Sequence, residues 1–173
     1  MADSKRWQRE PVKYAIYKGM GGKFGAAQFS LIRFDPNREH NGKPNPKGGV
    51  LLEMAPTTGK NVYNWETGKV SFWMSVEDIS EFLIYRNMDK DDDNNEGIFH
   101  SFNDTNKKLR IGKGNVYKGL PTWLMSLHAS VKGGESRTVN MPISAKEMAT
   151  LIKLLEAAIP AILGWNTVFE ESE

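Results

Sequence analysis

Apolar positions in the last third of the chain recur at helical spacing. Met148, Leu151, Ile152, Leu155, Ile159 and Ile162 fall mostly three or four residues apart. That is the stripe of a helix that buries one face. Ser144 and Glu147 stand three apart just before it and read as a capping box. The hydroxyl takes an orphan amide and the carboxylate reaches back to the cap. Pro160 removes a backbone donor and should bend the helix near its end. Gly164 then supplies a C-terminal cap. The same plan occurs once earlier, where Ser75-Val-Glu-Asp78 leads into Ile79, Phe82, Leu83 and Arg86.

Each helix follows a strand-rich stretch. In Val12 to Lys18, Val12, Tyr14 and Ile16 alternate with Lys13, Ala15 and Tyr17. Phe24 to Phe34 is long and rich in aromatic and aliphatic residues, and Gly49 to Ala55 is a short apolar run ending at Pro56. Lys69 to Met74 alternates Val70, Phe72 and Met74 against Lys69, Ser71 and Trp73. The second half offers Ile98 to Phe102, Lys107 to Ile111, Thr122 to Val131 and Ser136 to Met141, with Gly133-Gly134 as a hairpin signal. Thr57-Thr-Gly-Lys60 and Glu66-Thr-Gly-Lys69 read as turns. Asn37 to Gly49 reads as a mobile loop and Asp89 to Gly97 as a polar one. The predicted fold is α+β: two antiparallel four-stranded sheets, each followed by a helix (β4-α-β4-α), with both helices packed on one side. It forms a single domain over residues 12–168, between a flexible segment 1–11 and an acidic tail 169–173.

Composition narrows the chemistry. The 173 residues hold no cysteine, which excludes disulfides, iron–sulfur clusters and thiolate zinc sites. No apolar run approaches the length of a membrane span. Net charge is only +2, yet it is unevenly placed. Residues 1–48 carry ten Lys or Arg against four acids, and residues 107–119 carry Lys107, Lys108, Arg110, Lys113 and Lys118 with no acid. Basic surfaces of this kind suit an anionic partner.

Catalytic signatures are missing. Gly19-Met-Gly-Gly-Lys23-Phe lacks the spacing of a phosphate-binding loop and reads as a flexible strand connection. Asp91-Asp92-Asp93 is a charge run without the spaced ligands of a calcium loop. His40, His100 and His128 are scattered, and His100 reads as a hydrogen-bonded structural residue. No cofactor, metal site or catalytic residue is expected.

Aromatic residues stand beside cations on the predicted strands. Tyr17, Phe29, Phe34, Tyr63, Trp65 and Trp73 are candidates to stack on bases. Lys18, Lys23, Arg33, Lys69, Lys108 and Arg110 are candidates to hold phosphates. Single-stranded nucleic acid needs both features, because its base faces are unpaired and its backbone is charged.

Five segments form a collinear set: Tyr14-Ala-Ile-Tyr-Lys-Gly19, Gly49-Val-Leu-Leu-Glu-Met-Ala-Pro56, Tyr63-Asn-Trp65, Phe72-Trp-Met-Ser-Val-Glu-Asp-Ile79 and Phe99-His100. Pro142-Ile-Ser-Ala-Lys-Glu147 and Ile159-Pro160 to Gly164-Trp165 complete it. In these segments the chain resembles the Whirly family of single-stranded-DNA-binding proteins. The resemblance implies the same fold, homo-oligomers with a tetramer favoured, and binding of single-stranded DNA with little sequence preference. The implied role is protection of exposed strands in replication, recombination or repair. Either Lys18 or Lys23 would take the family's lysine role. RNA as the ligand, or a metal-dependent phosphodiester enzyme using the acidic loop, are the competing readings. The Met-Ala-Asp start without a transit peptide leads to the expectation of a cytoplasmic bacterial or bacteriophage relative, with an organelle as the setting only if a transit peptide is missing from this chain.

Overall fold

The structure, a computed structural model, describes residues 13–19 and 23–165. The segment 1–11, the tail 169–173 and Met20 to Gly22 of the Gly19–Lys23 connection lie outside the described residues. Strands β1 (Lys13–Tyr17), β2 (Gly25–Ile32), β3 (Glu39–His40), β4 (Lys43–Pro44), β5 (Gly49–Gly59), β6 (Val62–Tyr63) and β7 (Val70–Met74) precede helix α1 (Val76–Tyr85). Strands β8 (Ile98–Phe102), β9 (Thr105–Lys113), β10 (Trp123–Val131) and β11 (Ser136–Ile143) precede helix α2 (Ala145–Leu163). The first sheet runs β1-β2-β5-β7, with β6 added at the far end of β5. The second runs β11-β10-β9-β8. Every ladder between these strands is antiparallel. The expected α+β order is therefore observed, with small additions.

Alternation decides what each sheet buries. On the first, Ile16, Ala27, Phe29, Leu52, Met54, Val70, Phe72 and Met74 point inward, as the cross-strand pairs Ile16–Ala27, Phe29–Leu52 and Leu52–Phe72 require. On the second, Ile98, Leu109, Ile111, Met125, Leu127, Val139 and Met141 do the same. Ile79 and Phe82 of α1 and Met148, Leu151, Leu155 and Ile162 of α2 join them in one core. The two sheets meet directly, β11 against β2 and β5 and β10 against β7, while α1 packs on both sheets and on α2, and α2 packs on β5. Both capping boxes are formed, Ser75 with Asp78 and Ser144 with Glu147. Gly164 ends α2 at φ +77°, donating its amide to Pro160. Only glycine takes that conformation without a steric penalty.

Three expectations need correction. Pro56 does not end its strand: β5 continues to Gly59. Pro56 lies beyond Met54–Val70, the last rung with β7, so its missing amide breaks no bond on that side. The segment 37–49 is not a bare loop. It holds the β3–β4 hairpin, turning at Asn41 and Gly42 (φ +51° and +71°). Arg38 ties its base to the carbonyls of Arg33 and Lys47, each at 2.8 Å. Phe29, a stacking candidate, is a core residue at 5% exposure.

Candidate nucleic-acid interface

Strand β7 is the edge of the first sheet, and its outward positions face a groove. Trp73 projects there at 41% exposure, while Phe72 and Met74 on either side are buried. The Trp73 ring rests on Gly49, where a Cβ would come within 2.5 Å of it. Glycine at that position lets the ring lie close to the backbone of β5. The opposite wall is the far end of the second sheet. His100, Phe102, Thr105 and Lys107 enclose a hollow of about 290 Å³ with Trp73. Phe102 is 69% exposed. His100 is fixed by stacking on Phe72, with ring centroids 4.2 Å apart, and by a 3.0 Å contact from Nε2 to Asp78 Oδ1. The other Asp78 oxygen accepts from the Ser75 amide at 2.7 Å.

Lys107 continues the groove. Its Nζ donates to the Ser71 carbonyl at 2.6 Å, across the gap between the sheets. A second hollow of about 580 Å³ begins there, lined by Lys69, Ser71, Lys107, Val131, Glu135 and Arg137 among others. Lys69 is paired with Glu53 at 2.5 Å. Arg137 donates to the Thr67 carbonyl and lies 3.9 Å from Glu135. Among the described residues Lys107 is held by a carbonyl and by no carboxylate, so its positive charge remains to attract an anion. Exposed rings at one end and cations along the floor are the two features a single strand requires.

The remaining sequence candidates do not all converge here. Tyr17, 55% exposed, and Tyr63 form an aromatic pair at the β5–β6 end of the first sheet, with centroids 5.4 Å apart. Trp65 is half-buried in the connection that follows, and Lys23 is exposed between β1 and β2. Lys18 is committed to helix α2 through Glu147 Oε1 at 2.8 Å. Burial pushes the Glu147 carboxyl up, but Lys18 and the Ser144 amide and hydroxyl outweigh it and hold the group below its ordinary range. The nearby Tyr14 hydroxyl is raised by burial and by the Glu147 charge, against a hydrogen bond from Thr150. Phe34 packs on Gly164 and donates its amide to the Ala161 carbonyl, so it secures the end of α2. Arg33 borders a cleft beneath that helix. Lys108 and Arg110 lie on the outer face of the second sheet, and Arg110 holds the α1–β8 loop through the carbonyls of Lys90 and Asn95.

Lys107, Phe102 and Arg137 belong to the groove but were not singled out as contacts. Parity offered a signal. Lys107 shares the inward face of β9 with Leu109 and Ile111. A lysine on an apolar face marks the point where the core ends and water or a ligand begins.

The family described as "Whirly transcription factor" matches residues 16–154. The single-stranded DNA-binding protein WHY1, chloroplastic, of Solanum tuberosum is 27% identical over 165 residues, covering 90% of this chain. The chain spans 56% of that relative's length. Among solved structures, WHY3 from Arabidopsis thaliana aligns with a TM-score of 0.73 at 23% identity, covering 94% of each chain. The plant transcriptional regulator PBF-2 also gives 0.73, at 22% identity, over 95% of this chain and 89% of the other.

Proposed function

The chain belongs to the Whirly family, and from that premise we propose that it binds single-stranded DNA with little sequence preference through the groove along β7. The observation that carries this reading is Lys107 at the floor of a cleft walled by Trp73 and Phe102. The rings take base faces and the cations take phosphates. Neither contact reads the base edges that carry sequence. Tyr17, Tyr63, Trp65 and Lys23 extend the surface at the other end of the first sheet. The cellular role is protection of exposed strands during replication, recombination or repair, as a binding protein rather than an enzyme.

Assembly is part of the same proposal. The cleft beneath α2, about 600 Å³, is lined by Phe29, Leu31, Val50, Leu154, Ala157 and Ala161 among others. Leu154 and Ile84 are 45% and 62% exposed on the two helices. Apolar surface of this kind favours association, and we assign it to a homo-oligomer, with a tetramer favoured. No helix among the described residues is long and apolar enough to cross a membrane.

A titration against single-stranded DNA, duplex DNA and RNA of one sequence tests the function. Tight binding of the single DNA strand with a steep fall in added salt supports it. Equal affinity for the duplex overturns it, and preference for RNA transfers the groove to that ligand.

A further inference from the structure

We propose that the outer face of the second sheet is a further single-strand surface, reached by a strand that leaves the β7 groove and passes around the β8 edge. The inference rests on the groove reading and extends its path. Strand β8 is the edge of its sheet, and its alternation puts one exposed ring on each side. Phe102 faces the groove. Phe99, 58% exposed, faces the opposite way. Phe99 opens a row that crosses all four strands in register: Phe99, Lys108, His128 and Thr138. His128 Nδ1 and Thr138 Oγ1 are 2.6 Å apart, which steadies the middle of the row.

The charge on this face selects the occupant. The outward positions of β8 to β11 include Lys108 and Arg110 together with hydroxyl and amide side chains, and not one Asp or Glu. The whole chain carries 21 acids. An antiparallel sheet face with an exposed ring, the Lys108 cation and neutral donors suits a splayed single strand, whose bases stack while its phosphate meets Lys108. The acidic α1–β8 loop borders the Arg110 end, where Lys90 and Asn95 crowd Gly112, and its last residue, Gly97, lies against the Lys108 stem. The acids of that loop, Asp89, Asp91 to Asp93 and Glu96, are not among the residues of the Phe99 row, and the row beyond it, Ser101, Asn106, Ser130 and Ser136, is one step farther along the strands.

Oligothymidines of about 8 and about 30 nucleotides, below and above the reach of one groove, provide the test. The parent is compared with Phe99→Ala, with Asn106→Glu, which puts an acid on the acid-free face, and with Trp73→Ala in the groove. Phe99→Ala and Asn106→Glu should bind the short strand like the parent. They should bind the long strand roughly tenfold more weakly, with fewer nucleotides occluded per protomer. Phe99→Tyr, which keeps a stacking ring, should restore the loss. Trp73→Ala should weaken both strands. Parental affinity and site size for the long strand in Phe99→Ala and Asn106→Glu would overturn the outer-face proposal and leave the groove standing. Unchanged binding of both strands by Trp73→Ala would overturn the groove, and with it the continuous path. A parent that binds neither strand removes both.

Discussion

Lys107 Nζ lies 2.6 Å from the carbonyl oxygen of Ser71, joining the second sheet to the edge of the first through a cation. An edge strand leaves carbonyls without ladder partners. Here one of them positions a lysine instead, and the lysine still has two donors for a phosphate.

Replacing Lys107 should therefore weaken single-strand binding without unfolding the protein. Lys107→Met keeps much of the stem and removes the charge. The plot of log affinity against log salt should become shallower by about 0.7, one phosphate contact's worth. An unchanged slope in fluorescence titrations would show that Lys107 meets no phosphate.

Trp73→Ala separates stacking from charge. The ring is 41% exposed and lies outside the core, so the variant should keep its fold. Binding should weaken by about 1–3 kcal/mol, the range for one stacked base, with the salt slope unchanged. A folded variant with parental affinity would remove Trp73 from the interface.

Phe29→Ala should behave in the opposite way. Phe29 is 5% exposed and packs between Tyr14 and Leu52 across the strands. Truncating a buried Phe costs about 3–5 kcal/mol of stability. Chemical denaturation should show that loss. A shift under 1 kcal/mol, on the order of a surface change, would contradict the burial.

Acid should selectively weaken the start of α2. Glu147 has a folded pKa below its ordinary value, so its contribution is present above that value and disappears as pH falls through the lower one. The stability gap between the parent and Glu147→Gln should be widest near neutral pH, begin to narrow as pH falls past the ordinary Glu value of about 4.3, and close below the lowered folded value. Urea melts at both ends of the range measure it; a gap of constant size would refute the assignment. Ser144→Ala, which removes the cap itself, should cost about 0.5–2 kcal/mol.

Leu154→Glu tests assembly. Leu154 lines the cleft beneath α2 and is 45% exposed. Light scattering should show the parent as an oligomer and the variant shifted toward a 19.5 kDa protomer. A parent that is monomeric at every concentration would overturn the proposed oligomer.

Much of the fold was legible because local signals agreed with one another. Ser75 and Ser144 each announced a helix by a carboxylate three residues on, and both boxes are formed. Alternation placed Trp73 outside and Phe72 inside. It could not say which ring-bearing faces are covered by another layer, and so Phe29 was assigned outward. Phe34 lies past the end of β2, where no alternation applies, and its packing on Gly164 depends on a residue far along the chain. The groove was hidden for a related reason. Ser71 and Lys107 meet only after two sheets have formed and packed, and no spacing within either strand encodes that meeting. Likewise Arg110 looked like a free cation until the α1–β8 loop folded back and offered it two carbonyls.

Asp78 divides its carboxylate between two tasks. One oxygen holds the amide that opens α1, and the other holds the imidazole in the groove wall. Helix ends are where native structure frays first. Each time the first turn of α1 loosens, the His100 ring loses its anchor at the same moment. Conversely, a strand that clamps His100 in place damps the fraying of a helix it never touches. Occupancy of the cleft should thus be visible as slowed amide exchange at Glu77, Asp78 and Ile79.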